Sequence, residues 1–209
     1  MLNFILKHKK FPLFSLPADF INSAVQQLPL LIITSRFGPE SVGLLAIVMR
    51  ALGAPISLLG ASILDVFKRD AIASLRDKGE CREVYVSTFK ILFCISIISS
   101  FIIYFAAESM FGILFGDKWS QAGDIAVLML PLYAFRIVAS PLGYMPYFVN
   151  KQHIDLIWQI ALFILAFVAL LIMNNLKETV ALYSFSYAFM YLVYLIISYR
   201  LSIGSSNYK

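Results

Sequence analysis

IAVLMLPLYAFRIVASPLGYMPYFV, residues 125–149, runs for 25 residues with a single charge, Arg136. A helix needs roughly 20 apolar residues, at 1.5 Å each, to cross ~30 Å of hydrocarbon, and this stretch is long enough. Five more such runs flank it: residues 11–34, 42–67, 84–107, 154–173 and 180–199. Together the six take up about two-thirds of the 209 residues. Hydrophobic residues make up 60% of the chain, charged ones 14%, and mean hydropathy is +0.82. An ordinary soluble domain carries about 25% charged residues, so that class is excluded. The runs do not alternate polar with apolar as outer-membrane strands would. Helices satisfy every backbone donor and acceptor without water, so the fold class is all-α. The expectation is a polytopic membrane helical bundle of about six transmembrane helices, forming one domain over residues 1–209.

Charge in the connections sets an orientation. Lys7, Lys9, Lys10, Lys68, Arg69, Arg76, Lys78, Arg82, Lys151, Arg200 and Lys209 fall on one side, and Arg36, Lys118 and Lys177 on the other. Eleven basic residues against three predict both termini in the cytoplasm. The net charge of +5 follows from this asymmetry and points to no nucleic-acid partner. Residues 1–10 form a basic lead without a cleavage site. Cys81 and Cys94 are too few for a disulfide framework or a metal site, and no cofactor motif is present. Large loops with acid clusters are absent and the histidines have no acid–base partners, so an embedded enzyme fits poorly and no catalytic residue is assigned. His153 reads as a solvated flank rather than a proton relay.

Three charges lie deep. At 1.5 Å per residue Arg50 is ~12 Å inside the second run, Arg136 ~16 Å inside the fourth and Asp19 ~12 Å inside the first. A charge at mid-membrane costs about 2.5–3.5 kcal/mol. Asp19 and Arg136 share a depth and are able to neutralise each other, which leaves Arg50 unexplained. A hydrated cationic cavity accounts for both arginines, since guanidinium forks suit phosphate groups; Arg50 and Arg136 are therefore the substrate-binding candidates. Asp19, Asn22 and Gln26 recur at spacings of three and four on one helix face. That face either hydrogen-bonds neighbouring helices or lines the cavity, where Asp19 is the ion-coupling candidate.

Pro55 removes a backbone donor in the second run and is expected to kink it. Pro131, Pro141 and Pro146 predict a broken or strongly bent fourth helix, with Pro55, Pro131 and Pro141 as hinge candidates. Residues 68–83 read as a short amphipathic interfacial helix or a solvated loop helix. The third run promises packing alone. Tyr183, Tyr187, Tyr191 and Tyr194 form one stripe, for which packing or an interfacial role is the favoured reading over a sugar-stacking wall.

The stretch FPLFSLPADFINSAVQQLPLLIITSRFGPESVGLLAIVMRALGAPISLLGASILDVF (residues 11–67) resembles the polysaccharide-biosynthesis flippases of the O-antigen and teichuronic-acid type. The resemblance rests on a proline-framed polar helix, the FGPESVG turn, and the arginine and proline that follow. LFGDKWSQAG, PLYAFRIVASPLG and NKQ, at residues 114–123, 131–143 and 150–152, extend it to about Tyr199. It implies one lobe, the C-terminal one, of a MATE-like exporter of the multidrug/oligosaccharidyl-lipid/polysaccharide superfamily. It further implies transport: flipping of a polyprenyl-diphosphate-linked oligosaccharide across the bacterial inner membrane. The implied partners are the bilayer, the lipid-linked oligosaccharide, and either a missing N-terminal lobe or a second copy. The alternatives are an inactive or partner-dependent half and a multidrug or ion antiporter of the same superfamily.

Overall fold

The computed structural model describes the backbone of residues 10–204 and the side chains of residues 16–204. Lys7, Lys9 and Lys209 of the charge count, with most of the basic lead, lie outside the described residues. Helix dominates and no strand occurs among the described residues. The first helical run, Lys10–Lys78, departs from helical dihedrals at Gly38 (φ 84°, ψ 175°). We call its arms α1 (residues 10–37) and α2 (residues 39–78). There follow α3 (Arg82–Phe115), α4 (Ala122–Leu128), α5 (Leu130–Leu142), α6 (Met145–Phe148), α7 (Gln152–Ile172) and α8 (Leu176–Ser202).

Gly38 reverses the chain. Asp19 of α1 and Phe67 of α2 are 48 residues apart, which a continuous helix would separate by ~72 Å. Yet Asp19 shares a cavity with Tyr144 and Asp155, while Phe67 packs on Phe148 with ring centroids 5.8 Å apart. Arg36, at the end of α1, reaches the opposite end of α7 and donates to the carbonyls of Leu170 (2.5 Å) and Met173 (2.8 Å). Only a residue free to adopt positive φ makes so abrupt a turn at low cost, and glycine supplies it. Helical dihedrals persist through Pro17, Pro29 and Pro55, so the break falls at Gly38 and not at the expected Pro55.

By length and composition Leu16–Lys78, Arg82–Phe115, Gln152–Ile172 and Leu176–Ser202 are able to cross a membrane, and the first holds two passes across Gly38. A further pass comes from the pair Asp117–Leu128 and Leu130–Phe148, bent by 61°. The polytopic all-α bundle expected from the sequence is thus present. Its fourth member is broken where the prolines predict: Pro131 sits in the first turn of α5, Pro141 near its end, and Pro146 in the first turn of α6. Residues 68–78 are not a separate interfacial helix. They continue α2 because Phe67, Ala71 and Leu75 extend its buried stripe at four-residue spacing, and the helix stops only at Gly79 (φ 76°).

The described ends of α1 and α8 lie at one end of the bundle, here the basic end. Lys68 stands 4.6 Å from the Tyr144 ring there, Cys81 N–H donates to the Ser202 carbonyl (2.9 Å), and Arg82 donates to the Tyr199 hydroxyl (3.1 Å). α3 turns Ile97, Ile98, Phe101, Ile102 and Phe105 outward, half or more exposed, as a lipid-facing helix would.

A broken helix frees backbone groups that hydrocarbon cannot hydrate. α8 takes up both sets. The Ser184 hydroxyl accepts from Leu132 N–H at the start of α5 (3.1 Å). The Tyr194 hydroxyl lies between the Gly143 carbonyl just past its end (2.9 Å) and the Asp155 carboxylate (2.5 Å), which share its one proton. These two contacts hold α5 flat against α8 and aim Arg136 to the side.

Candidate functional site: a polar cavity inside the bundle

Residues of α1, α5, α7 and α8, with Met49 of α2 and Tyr144 and Tyr147 around α6, line an open cavity of about 230 Å³. α1 contributes Asp19, Asn22 and Gln26, one helix face as their spacing requires. α5 contributes Tyr133 and Arg136, α7 Asp155, Trp158 and Gln159, and α8 the whole stripe Tyr183, Tyr187, Tyr191 and Tyr194. Arg136 thus lines the same cavity as the polar face of α1, but Asp19 lies with Asp155, Tyr144 and Tyr147 rather than beside the guanidinium. No ion pair joins it to Asp19: among the described residues the salt bridges are Arg69–Asp70, Lys78–Glu83 and Lys177–Asp124, all with exposed partners. The guanidinium instead lies among the phenols of Tyr191, Tyr133, Tyr187 and Tyr183.

The other end of the cavity is built around a carboxylate. Asp155 is 5% exposed. One of its oxygens accepts from the Tyr194 hydroxyl (2.5 Å) and the other from the Tyr147 hydroxyl (2.8 Å). A buried charge is tolerated only with such partners. Tyr194 also stacks on Trp158, centroids 4.3 Å apart, whose indole N–H donates to the Met190 carbonyl (2.9 Å). Gly143 makes this approach possible, since a Cβ there would lie 2.5 Å from the Tyr194 ring. Arg136 stands seven residues up α5 from Gly143, ~10 Å along the axis. The cavity is thus polarised, with cation and acids at opposite ends.

Gln159 lies between those ends, 6% exposed. Its Oε1 is buried with no hydrogen-bond partner. A buried amide without partners forfeits about 1–3 kcal/mol.

Arg50 is elsewhere. It is exposed on α2, does not line the cavity, and makes no hydrogen bond or ion pair with another described residue. Its neighbour Met49 faces the cavity in its place. Pro131 and Pro141 flank the site without lining it, and Pro55 is exposed on α2. The sequence favoured packing for the tyrosines and did not single out Asp155, the second residue of the fifth run; it lies in the first turn of α7 and is buried through its bonds to Tyr147 and Tyr194. A wider groove of about 960 Å³, between α3, α5 and α8, is almost wholly apolar and opens toward the lipid side.

A family model described as polysaccharide biosynthesis protein matches residues 5–124, more than half of the chain. The chain belongs to the polysaccharide biosynthesis protein family. No curated protein and no solved structure matches it. The match covers α1, α2 and α3 and stops at Asp124. In this polysaccharide biosynthesis protein, Asp19, Asn22 and Gln26 fall inside the matched region, and Arg136, Asp155, Gln159 and the tyrosine wall beyond it.

Proposed function

We propose that this membrane protein works in polysaccharide export, as part of a flippase that moves a polyprenyl-diphosphate-linked oligosaccharide across the bacterial inner membrane. The observation that carries this reading is Arg136: a permanent cation inside an apolar bundle, facing a cavity, with no carboxylate paired to it. Such a cation costs about 2.5–3.5 kcal/mol in hydrocarbon, and an anionic cargo that enters the cavity offsets that cost. Family membership supplies the glycan context. Counting basic residues puts the basic end, with both termini, in the cytoplasm.

Arg50 supports a partner. It is exposed on α2, and no described residue pairs with it; Gln27 of α1 and Asp65 of α2 are exposed as well. A permanent cation is costly against lipid, so this part of α2 is read as facing a second lobe, or a second copy, across a hydrated cleft. Asp19, exposed and on the cavity's acidic side, is placed to take up a coupling proton or cation.

The test is export in cells that depend on the assembled protein. Arg136→Ala should reduce surface polysaccharide to background while the protein still reaches the membrane. Wild-type export by that variant removes the proposal.

A further inference from the structure

We propose that the cavity within the α1–α5–α7–α8 group is a subsite for a single acidic sugar ring bearing one negative charge, with Arg136 as its anion contact and Gln159 as its specificity-determining residue. This rests on the glycan reading above but assigns what that reading leaves open: which part of the cargo enters here. Three observations select it.

Size comes first. At about 230 Å³ the space falls below the ~300–1,000 Å³ of drug-sized ligand sites. It holds one pyranose ring, and further sugars of a chain would extend beyond it. Charge comes second. A single guanidinium marks one end, while Asp155 and Asp19 mark the other, ~10 Å away along α5. A monoanion is balanced by Arg136, whose fork matches a carboxylate with two parallel hydrogen bonds. A diphosphate would carry its excess negative charge toward two acids, so it is excluded from this subsite.

The third observation is the unmet hydrogen-bonding demand. Gln159 lines the cavity, and its Oε1 is buried without a hydrogen-bond donor. A half-turn of the amide exchanges oxygen and nitrogen, so which of the two faces the ligand is a matter of assignment. Sugar hydroxyls both donate and accept, and so pair with whichever atom faces the cavity. Aromatic rings from Tyr187, Tyr191 and Trp158 supply flat apolar faces for the C–H side of a pyranose. A hydrocarbon ligand would leave the amide and the guanidinium unmet, and a bare inorganic anion would leave the aromatic wall uncovered.

The full chain in lipid nanodiscs offers an internal reporter, because Trp158 lines the cavity. Its fluorescence is titrated with glucuronate, glucose and inorganic pyrophosphate. Glucuronate should give a saturable change, and glucose should bind about tenfold more weakly or worse, reflecting loss of a charged hydrogen-bond pair. Pyrophosphate should not compete. Arg136→Gln should erase the preference for glucuronate over glucose. Arg136→Lys should retain part of it, which guards against a variant that merely misfolds. Gln159→Leu should weaken both sugars by a similar factor, about fivefold or more, with no change in the charge preference. Equal binding of glucose and glucuronate, displacement by pyrophosphate, or no saturable change overturns the subsite. Two readouts separate this proposal from the functional one. Loss of export in Arg136→Ala without glucuronate binding leaves the flippase reading and removes the subsite. Arg136-dependent glucuronate binding with normal export in Arg136→Ala does the reverse.

Discussion

Arg136 on α5 and Arg50 on α2 are the same residue at similar depths along apolar helices, and the fold treats them in opposite ways. Arg136 is turned inward, ringed by phenols and held by a helix whose two ends are pinned. Arg50 is exposed on α2, and no described residue makes a hydrogen bond or ion pair with it. Depth tells that an arginine needs help in a bilayer. Direction tells where that help must lie: on the cavity side for one, on the outward side of α2 for the other. Hydropathy and position report the first and are blind to the second.

The comparison breaks most visibly in access. In the assembled protein, Arg50→Cys should react with a membrane-impermeant thiol reagent about tenfold faster than Arg136→Cys, if the exposed Arg50 meets the proposed cleft while Arg136 lines the cavity. Equal rates would merge the two environments. Glycines beside the two arginines sharpen it next. Gly143→Ala puts a methyl 2.5 Å from the Tyr194 ring and should destabilise by about 1–3 kcal/mol through overpacking. Gly53→Ala near Arg50 meets nothing within 4 Å and should be neutral or stabilising by up to about 1 kcal/mol through helix propensity. Thermal unfolding in detergent measures both.

Tyr194→Phe removes the one hydroxyl proton that the buried Asp155 carboxylate and the Gly143 carbonyl share. A loss of about 1.5–3 kcal/mol is expected, with no counterpart near Arg50. The smallest effect belongs to Cys81, at the basic end between α2 and α3. Burial, with help from the Glu80 carboxylate, raises its thiol from 9.0 to about 11. The folded state thus favours the protonated thiol, so its contribution to stability is complete below pH 9.0 and lost as pH climbs through about 11. In native protein at pH 8, Cys81 should resist maleimide, and unfolding should expose it.

Much of the fold was legible because bilayer solvation leaves few choices for a chain this apolar. Run length gave the helices, Pro131 and Pro141 the broken pass, and the spacing of Asp19, Asn22 and Gln26 their common face. The limits of α2 were misjudged because charge marked the end of the run at Phe67, whereas buried Ala71 and Leu75 carry the helix onward. The cavity was half legible. Arg136 stood out by its cost, but the tyrosines of α8 are equally good packing residues until α1 and α7 are placed opposite them. Asp155 and Gln159 are conspicuous only by burial, which depends on the lean of α7 and α8 and has no signature along one helix.

The bonds from Ser184 and Tyr194 to the two ends of α5 also constrain motion. A proline-broken segment standing alone would be a natural joint. Stapled at top and bottom to an unbroken neighbour, it becomes part of a two-helix plank that tilts as a piece. Any bending of the bundle would therefore fall at the margins of that plank, at the Met129 bend and the one-residue reversal of Gly38, and Arg136 would keep its α8 tyrosines while its distance to α1 and α7 changed.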